Sequence, residues 1–394
     1  MTITNLRALR STLDVKVVKA SCFGNNFLIY DGTEESPLEE ADFPEFARQV
    51  TDPQFGIGAD NFVVIQNCTA DELRAINSVH GYWKKTPSPS ADYVFRMFEP
   101  DGEEALCCGN GLMCIAHYLA EKYQVESAKI LTEIPLAKVN QTSIGYSRRK
   151  SYGWVNLGLP RRMPEEIRSV DASDDFVGEI QTIHDLHIKF RNHDLQPYSR
   201  GRELALSGHL IFTGEPHLVF LTNDEDSPIS EFSDPIFASS EGNQGAGPLL
   251  QRRCGFGTWL VDHIGQYINT HYQDRFPAGV NVNFARKERG TDSIEYRCYE
   301  RGVYKETLAC GTGAMAVAYI MKHFQGYEEN GIKILPHRCR WFKPNAVMAV
   351  NNSEHGWVLE GQPDIVADID FRFEPSLGDT DCLPYRHAIQ SSIY

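Results

Sequence analysis

Apolar residues recur along this chain in two textures. Short runs of strand-like content, YVFRMF at 93–98 and SIEYRCYE at 293–300, lead through glycine-containing turns into densely apolar stretches, LMCIAHYLAEKY at 112–123 and AMAVAYIMKHF at 314–324. These stretches are apolar on nearly every side of a helical wheel, which predicts two helices buried inside their own halves of the protein. GTWLVDHIGQYINTHY at 257–272 predicts a third, amphipathic helix, suited to covering a domain face, joining a dimer interface or shielding a cleft.

The alternation is itself repeated. EALCCGNGLMCIAHYL at 104–119 returns as ETLACGTGAMAVAYIM at 306–321, with Cys108 and Cys310 in the same place. Upstream, Arg96-Met97-Phe98-Glu99 is echoed by Arg297-Cys298-Tyr299-Glu300, and more faintly Phe23–Ile29 by Thr213–Val219. A chain of 394 residues suits two duplicated halves. The expected division is 1–152 around Cys108, joined by 364–394, and 153–363 around Cys310, with an insertion at about 239–275. Segments poor in motif signal at 34–42 and 69–90 also read as insertions.

Composition narrows the function. Thirty-eight basic against 53 acidic side chains give a formal charge of −15, which repels phosphate backbones and anionic membranes, so no nucleic-acid partner is expected. No apolar run is long enough to span a bilayer and MTITNLRALRSTLDVKVVKA is too polar for a signal core, so no membrane partner and a cytoplasmic location are expected. Ten cysteines in such a chain are expected to be reduced thiols. Cys107, Cys108 and Cys114, or Cys298 with Cys310, offer no CxxC pair and no histidine cluster to complete a tetrahedral set, so no metal site is expected.

Chemistry concentrates at the repeated cysteines. A thiol where a helix begins meets unpaired N–H groups and the positive end of the helix dipole, which stabilise its thiolate. The same N–H groups, on the backbones of Gly109 and Gly111 or Gly311 and Gly313, can hold a carboxylate and the enolate-like charge that forms when its α-carbon loses a proton. Two such turns facing each other would place one sulfur on each face of that carbon, one removing a proton and the other delivering one. Both copies keep the cysteine and its two glycines, which singles out Cys108 and Cys310. Cys107, Cys114, Cys298 and Cys339 read instead as small buried side chains without chemistry.

These residues resemble the diaminopimelate epimerase family. FGNNF, FGIGADNFVV, DGEEALCCGNG, TGEPH, FPAGVNVNFA and YERGVYKETLACGTGA stand in that family's order over most of the chain. The resemblance implies an α+β fold of two pseudo-symmetric domains, each a curved mixed sheet around a central helix, with the active site in the cleft between them. It implies an isomerase acting on a small-molecule amino acid, with neither pyridoxal nor metal as cofactor, and a homodimer. By position, Cys108 and Cys310 would be the acid/base thiols, tuned by His217 and Glu300. Asn25 and Asn61 would line the pocket near the reacting carbon. Gly109, Asn110, Gly311 and Thr312 would hold the carboxylate, while Asn281 and Arg301 would face the far end of the substrate.

Two positions depart from the family's pattern. Glu99 and Glu215 stand where the family usually has asparagine, and both positions normally contact the distal end. Added negative charge there would disfavour a distal carboxylate and favour a basic amino acid. The alternatives are diaminopimelate epimerase itself, a thiol redox protein built on Cys107, Cys108 and Cys310, and a binding protein that has lost turnover. Glu99 or Glu215 could also be protonated, or paired with Arg96 or Arg301.

Overall fold

The computed structural model describes residues 12–169, 175–191, 203–224, 227–238, 255–327, 331–353 and 356–375. The N-terminal segment read above lies outside these residues up to position 11, as do the tail beyond 375 and positions 239–254 of the expected insertion.

The chain runs β1 (Leu13–Cys22), β2 (Asn25–Asp31), α1 (Phe43–Thr51), β3 (Asn61–Asn67), α2 (Ala70–His80), β4 (Tyr93–Phe98), β5 (Glu104–Ala105), α3 (Gly109–Tyr123), β6 (Ser127–Thr132), β7 (Asn140–Ser147) and β8 (Tyr152–Asn156). Then follow β9 (Phe176–Val177), β10 (Ile180–Lys189), β11 (Glu203–Phe212), β12 (Pro216–Leu221), α4 (Ser233–Ile236), α5 (Phe256–His271), β13 (Asn281–Lys287), β14 (Ile294–Glu300), β15 (Lys305–Glu306) and α6 (Gly311–Gln325). The last elements are β16 (Ile332–Pro336), α7 (His337–Arg340), β17 (Met348–Ser353), β18 (Gly356–Gly361) and β19 (Pro363–Phe373).

Strand pairing repeats with the sequence. β2 lies parallel to β3 with Phe27 opposite Asn61, and β12 lies parallel to β13 with His217 opposite Asn281. β3 pairs antiparallel with β4 and β4 parallel with β6; β13 pairs antiparallel with β14 and β14 parallel with β16. β8 is hydrogen-bonded to both β7 and β18, and the C-terminal β19 runs antiparallel to β1. The α+β fold is thus a long mixed ladder curled around two helices. α3 packs on β1, β2, β7, β8 and β19, and α6 on β12, β13, β14, β16 and β17.

Both helices are apolar all round for the reason their sequences gave. In α3 residues 109–120 are all buried, and α6 is buried from Gly311 to Met321 except at Tyr319. Each fully buried Leu, Ile or Met side chain there contributes roughly 1.5–3 kcal/mol. Both helices end on a left-handed residue, Gln124 at φ 59° and Gly326 at φ 68°, which stops the helix after four turns. The repeated arginines are buried beneath the sheets. Arg96 forks onto Glu104 at 2.8 and 2.6 Å, and Arg297 onto Glu306 at 2.6 and 2.7 Å.

The amphipathic stretch forms α5, whose Leu260, Val261, Ile264 and Ile268 join one core with β10–β14, so it covers a sheet face. The polar stretch at 69–90 is more ordered than its composition suggested. Thr69 caps α2 at the amide of Glu72, and Leu73, Ile76 and Trp83 form a small core with Val94 and Leu131.

Candidate active site

Cys108 is the N-cap residue of α3 and Cys310 that of α6. Each sulfur accepts the amide of the residue three further on, Gly111 or Gly313, at 3.4 Å. A sulfur thus takes the place an Asp or Ser oxygen usually holds at a helix start. The two helix starts abut: a methyl group added at Gly109 would lie 3.4 Å from the Cα of Gly311, and one at Gly311 would lie 3.1 Å from the amide nitrogen of Asn110. The absence of side chains at both positions makes this close approach easy, and a methyl group at Gly311 would already be tight. Two sets of unpaired amides and two positive dipole ends therefore converge on one small volume. Asn25 and Asn110 close it from one side, both donating side-chain N–H groups to the carbonyl of Ala309, at 2.5 and 3.0 Å.

The surroundings of the two sulfurs differ, and the repeat shows how. Where Cys108 has Phe27 and Phe95 against the neighbouring Gly111, the equivalent positions around Cys310 hold His217 and Tyr296. Val63 and Met97 likewise correspond to Asn283 and Cys298. The Tyr296 hydroxyl accepts the amide of Cys310 at 2.8 Å and donates to its carbonyl at 2.9 Å, fixing the cap residue from both ends. Asn283 donates its amide to His217 Nδ1 at 3.1 Å, so the ring's proton sits on Nε2, which donates to Thr312 Oγ1 at 2.9 Å. Thr312 Oγ1 in turn lies 3.4 Å from Cys310 Sγ. Buried and facing the Arg301 charge, His217 is held down to about 3, so the imidazole is neutral.

The consequence is electrostatic. The neighbouring Cys298 thiol, then Thr312 and Gly313, brings the Cys310 thiol below its ordinary value despite burial. Burial and the nearby Glu300 push Cys108 well above. Glu300 accepts a hydrogen bond from Thr307, and loss of solvation, then the Cys310 charge, pushes it well above the usual carboxylate range. The site therefore sets the two sulfurs apart, Cys310 the more acidic and Cys108 the less.

Beyond Glu300 lies the distal region. Glu215 accepts the amides of Leu106 and Cys107 at 2.9 and 3.2 Å, and its other oxygen takes Nε and Nη2 of Arg301 at 3.1 and 2.7 Å. Asn281 accepts the Arg301 amide at 2.9 Å. Arg301 is thus already engaged by a carboxylate of its own chain, which realises the alternative that Glu215 pairs with it. Arg96 is taken by Glu40 and Glu104, so neither Glu99 nor Glu215 pairs with it. Glu99 receives Asn61 at 2.8 Å; burial, then the neighbouring Glu215, push it up to about 8. The two glutamates therefore do not add two full negative charges near neutrality: Glu215 balances Arg301 and Glu99 is largely protonated. Both Glu99 and Arg301 line a cavity of about 380 Å³ whose wall includes Asp101, Glu103, Glu104 and Tyr304.

The sign of the Glu99 linkage is testable. A carboxyl raised from 4.5 to about 8 favours the fold while protonated, and that support is lost as pH rises through about 8. Glu99→Gln should gain stability over the native chain between pH 5 and 9, by roughly 1–3 kcal/mol at the alkaline end. Parallel melting curves with no widening gap would show that Glu99 ionises freely.

Three residues around Cys310 are not apparent from the sequence. Tyr296 reads as an ordinary strand residue, and Asn283, which holds His217, stands in the alternating stretch VNVNFA. Cys298, read as a buried thiol without chemistry, has its sulfur within 4.8 Å of both Cys310 Sγ and a His217 ring nitrogen. A single histidine, His217, far from both cysteines in sequence, is brought beside them in space. What could have pointed to them is the repeat, because each replaces an apolar counterpart near Cys108.

Comparison with known proteins places this arrangement. Residues 17–142 match the family described as diaminopimelate epimerase. A diaminopimelate epimerase of Archaeoglobus fulgidus is 30% identical over 301 residues, spanning 75% of this chain and 78% of the relative. The chain belongs to the diaminopimelate epimerase family. It is accordingly an isomerase of the racemase and epimerase kind, independent of pyridoxal. A Pelotomaculum thermopropionicum diaminopimelate epimerase is also 30% identical, over 78% of this chain and 84% of its own. In fold the chain is similar to a hydroxyproline epimerase from Agrobacterium vitis, with a TM-score of 0.53 at 13% identity, over 93% of this chain and 94% of that one. No helix among the described residues is long and apolar enough to cross a membrane.

Proposed function

We propose that the protein inverts the α-carbon of a free amino acid held between Cys108 and Cys310, and that this amino acid ends in a basic rather than an acidic side chain. The observation that carries the reading is the meeting of two helix starts, each capped by a cysteine, at Gly109 and Gly311.

The substrate carboxylate sits against the convergent amides of Gly109, Asn110, Gly311 and Thr312, where helix dipoles offset its charge and the charge that grows on it as the α-proton leaves. Cys310, in its polar surroundings, enters as thiolate and removes the proton from the face it meets. Cys108, in its apolar surroundings, enters as thiol and delivers a proton to the opposite face. Turnover leaves Cys310 protonated and Cys108 as thiolate, and either reaction of the mirror isomer or exchange with water resets the pair. Asn25 and Asn61 border the reacting carbon, and Glu300 lies near enough to both sulfurs to act on their charge.

The side chain would then reach toward Glu99 and the acidic wall of the distal cavity. With Arg301 held by Glu215, a distal carboxylate meets a cation already paired, whereas an ammonium or guanidinium group meets the carboxylates of Asp101 and Glu103, Glu104 being taken by Arg96.

The reduced protein, incubated in heavy water with diaminopimelate isomers and a panel of L-amino acids, tests both parts by NMR. Lysine, arginine, ornithine or histidine should lose the α-proton signal faster than diaminopimelate does. Exchange confined to diaminopimelate would overturn the substrate assignment and leave the mechanism standing. No exchange in any compound would overturn the mechanism.

A further inference from the structure

Around Cys310 the fold assembles a donor set that proton transfer alone does not require. One ring nitrogen of His217 and the sulfurs of Cys298 and Cys310 all lie within 4.8 Å of one another, and all three residues are buried. They come from three elements, β12, β14 and the cap of α6, so the cluster is built by the fold rather than by local spacing. A tetrahedral zinc centre with bonds of about 2.3 Å to sulfur and 2.0–2.1 Å to nitrogen needs these atoms roughly 3.5–3.8 Å apart, an adjustment of at most about 1.3 Å from the 4.8 Å limit that rotation of side chains can supply.

A second observation points to the same place. Asn283 Oδ1 is fully buried without a hydrogen-bond partner, while the other end of that amide holds His217 Nδ1. The oxygen stands on the Cys310 side of Gly313: a methyl group at Gly313 would be 2.7 Å from it and 3.3 Å from Cys310 Sγ. If His217 Nε2 binds a cation, its proton moves to Nδ1, which then needs an acceptor. Asn283 provides one by turning its amide over, giving the metal-bound histidine the carbonyl partner that such ligands almost always have.

We propose that His217, Cys298 and Cys310 form a binding site for a thiophilic divalent cation of the zinc or cadmium kind, with the fourth position left to water, and that occupation takes Cys310 out of the reaction. Each thiol releases its proton as its sulfur bonds the metal, so the two thiolates balance the two positive charges and the buried centre is neutral. Cation binding and turnover then compete for one sulfur. The binding site does not depend on the proposed isomerisation, whereas its competition with turnover rests on that reading of Cys310.

Cadmium alone is the probe: equilibrium dialysis of the reduced full chain, with the ultraviolet sulfur-to-cadmium charge-transfer band as the second readout. Expected for the native chain is one tightly held ion that a chelator removes. Cys298→Val should weaken it by more than the 10–100-fold typical of losing an outer partner, since a direct ligand is lost. Should that variant fail to fold by circular dichroism, His217→Gln makes the same test, with the band retained at lower intensity and affinity. Absence of a stoichiometric ion in the native chain overturns the proposal. Unchanged affinity in a folded Cys298→Val also does so, because it places the ion on Cys108 and Cys310 instead.

Discussion

Cys108→Ala should abolish stereoinversion while leaving part of the chemistry intact. With its partner gone, Cys310 still removes the α-proton of the isomer that presents it, exchanges that proton with solvent and returns a deuteron to the same face. In heavy water the variant should label one enantiomer with retention of configuration and yield essentially none of the other, a loss in inversion of about 10³-fold or more, within the range of acid/base group removal. Cys310→Ala should lose both inversion and exchange, because the remaining sulfur lies among Phe27, Phe95 and Met97 and is held as a thiol. Chiral chromatography beside NMR reads both quantities. Inversion at the native rate in either variant would rule out the two-sulfur mechanism, and equal exchange in both would rule out the assignment of thiolate to Cys310.

The difference between the two sulfurs also explains what the amino-acid sequence disclosed and what it withheld. Cys108 and Cys310 were identifiable because a helix start is a local structure: a cap residue, two glycines and an apolar run within a dozen positions determine it. Burial of α3 and α6 followed from their apolar residues on every side. Glu215 is another matter. Its partners Leu106, Cys107 and Arg301 are brought to it from β5 and β14 ends far along the chain, and no periodicity encodes such a meeting. The same is true of His217, Cys298 and Cys310, which only the pairing of β12 with β13 and β13 with β14 draws together. Pairing register, rather than propensity, supplies these contacts, and a sequence states register only weakly.

Glu215 offers the sharpest handle on specificity because it performs two tasks at once. It satisfies the amides of Leu106 and Cys107 next to Cys108, and it neutralises Arg301 at the wall of the distal cavity. Glu215→Asn separates them. The asparagine oxygen can still accept the two amides, so the loop before α3 should hold, at a cost of about 1–3 kcal/mol for the lost charged partner. Arg301 is then left with a guanidinium face open to the cavity, ready for bidentate pairing with a carboxylate. The ratio of kcat/KM for diaminopimelate to that for lysine should rise by roughly 10–100-fold, the equivalent of one charge-assisted hydrogen-bonded pair gained. Glu215→Leu should behave differently: with the amides unsatisfied and the buried cation unpaired, it should cost about 3–5 kcal/mol and fail before its specificity can be read. If Glu215→Asn folds normally and the ratio does not move, Arg301 does not face the far end of the substrate. The acidic wall of Asp101, Glu103 and Glu104 would then have to set the preference by itself, and Glu103→Gln would become the informative change.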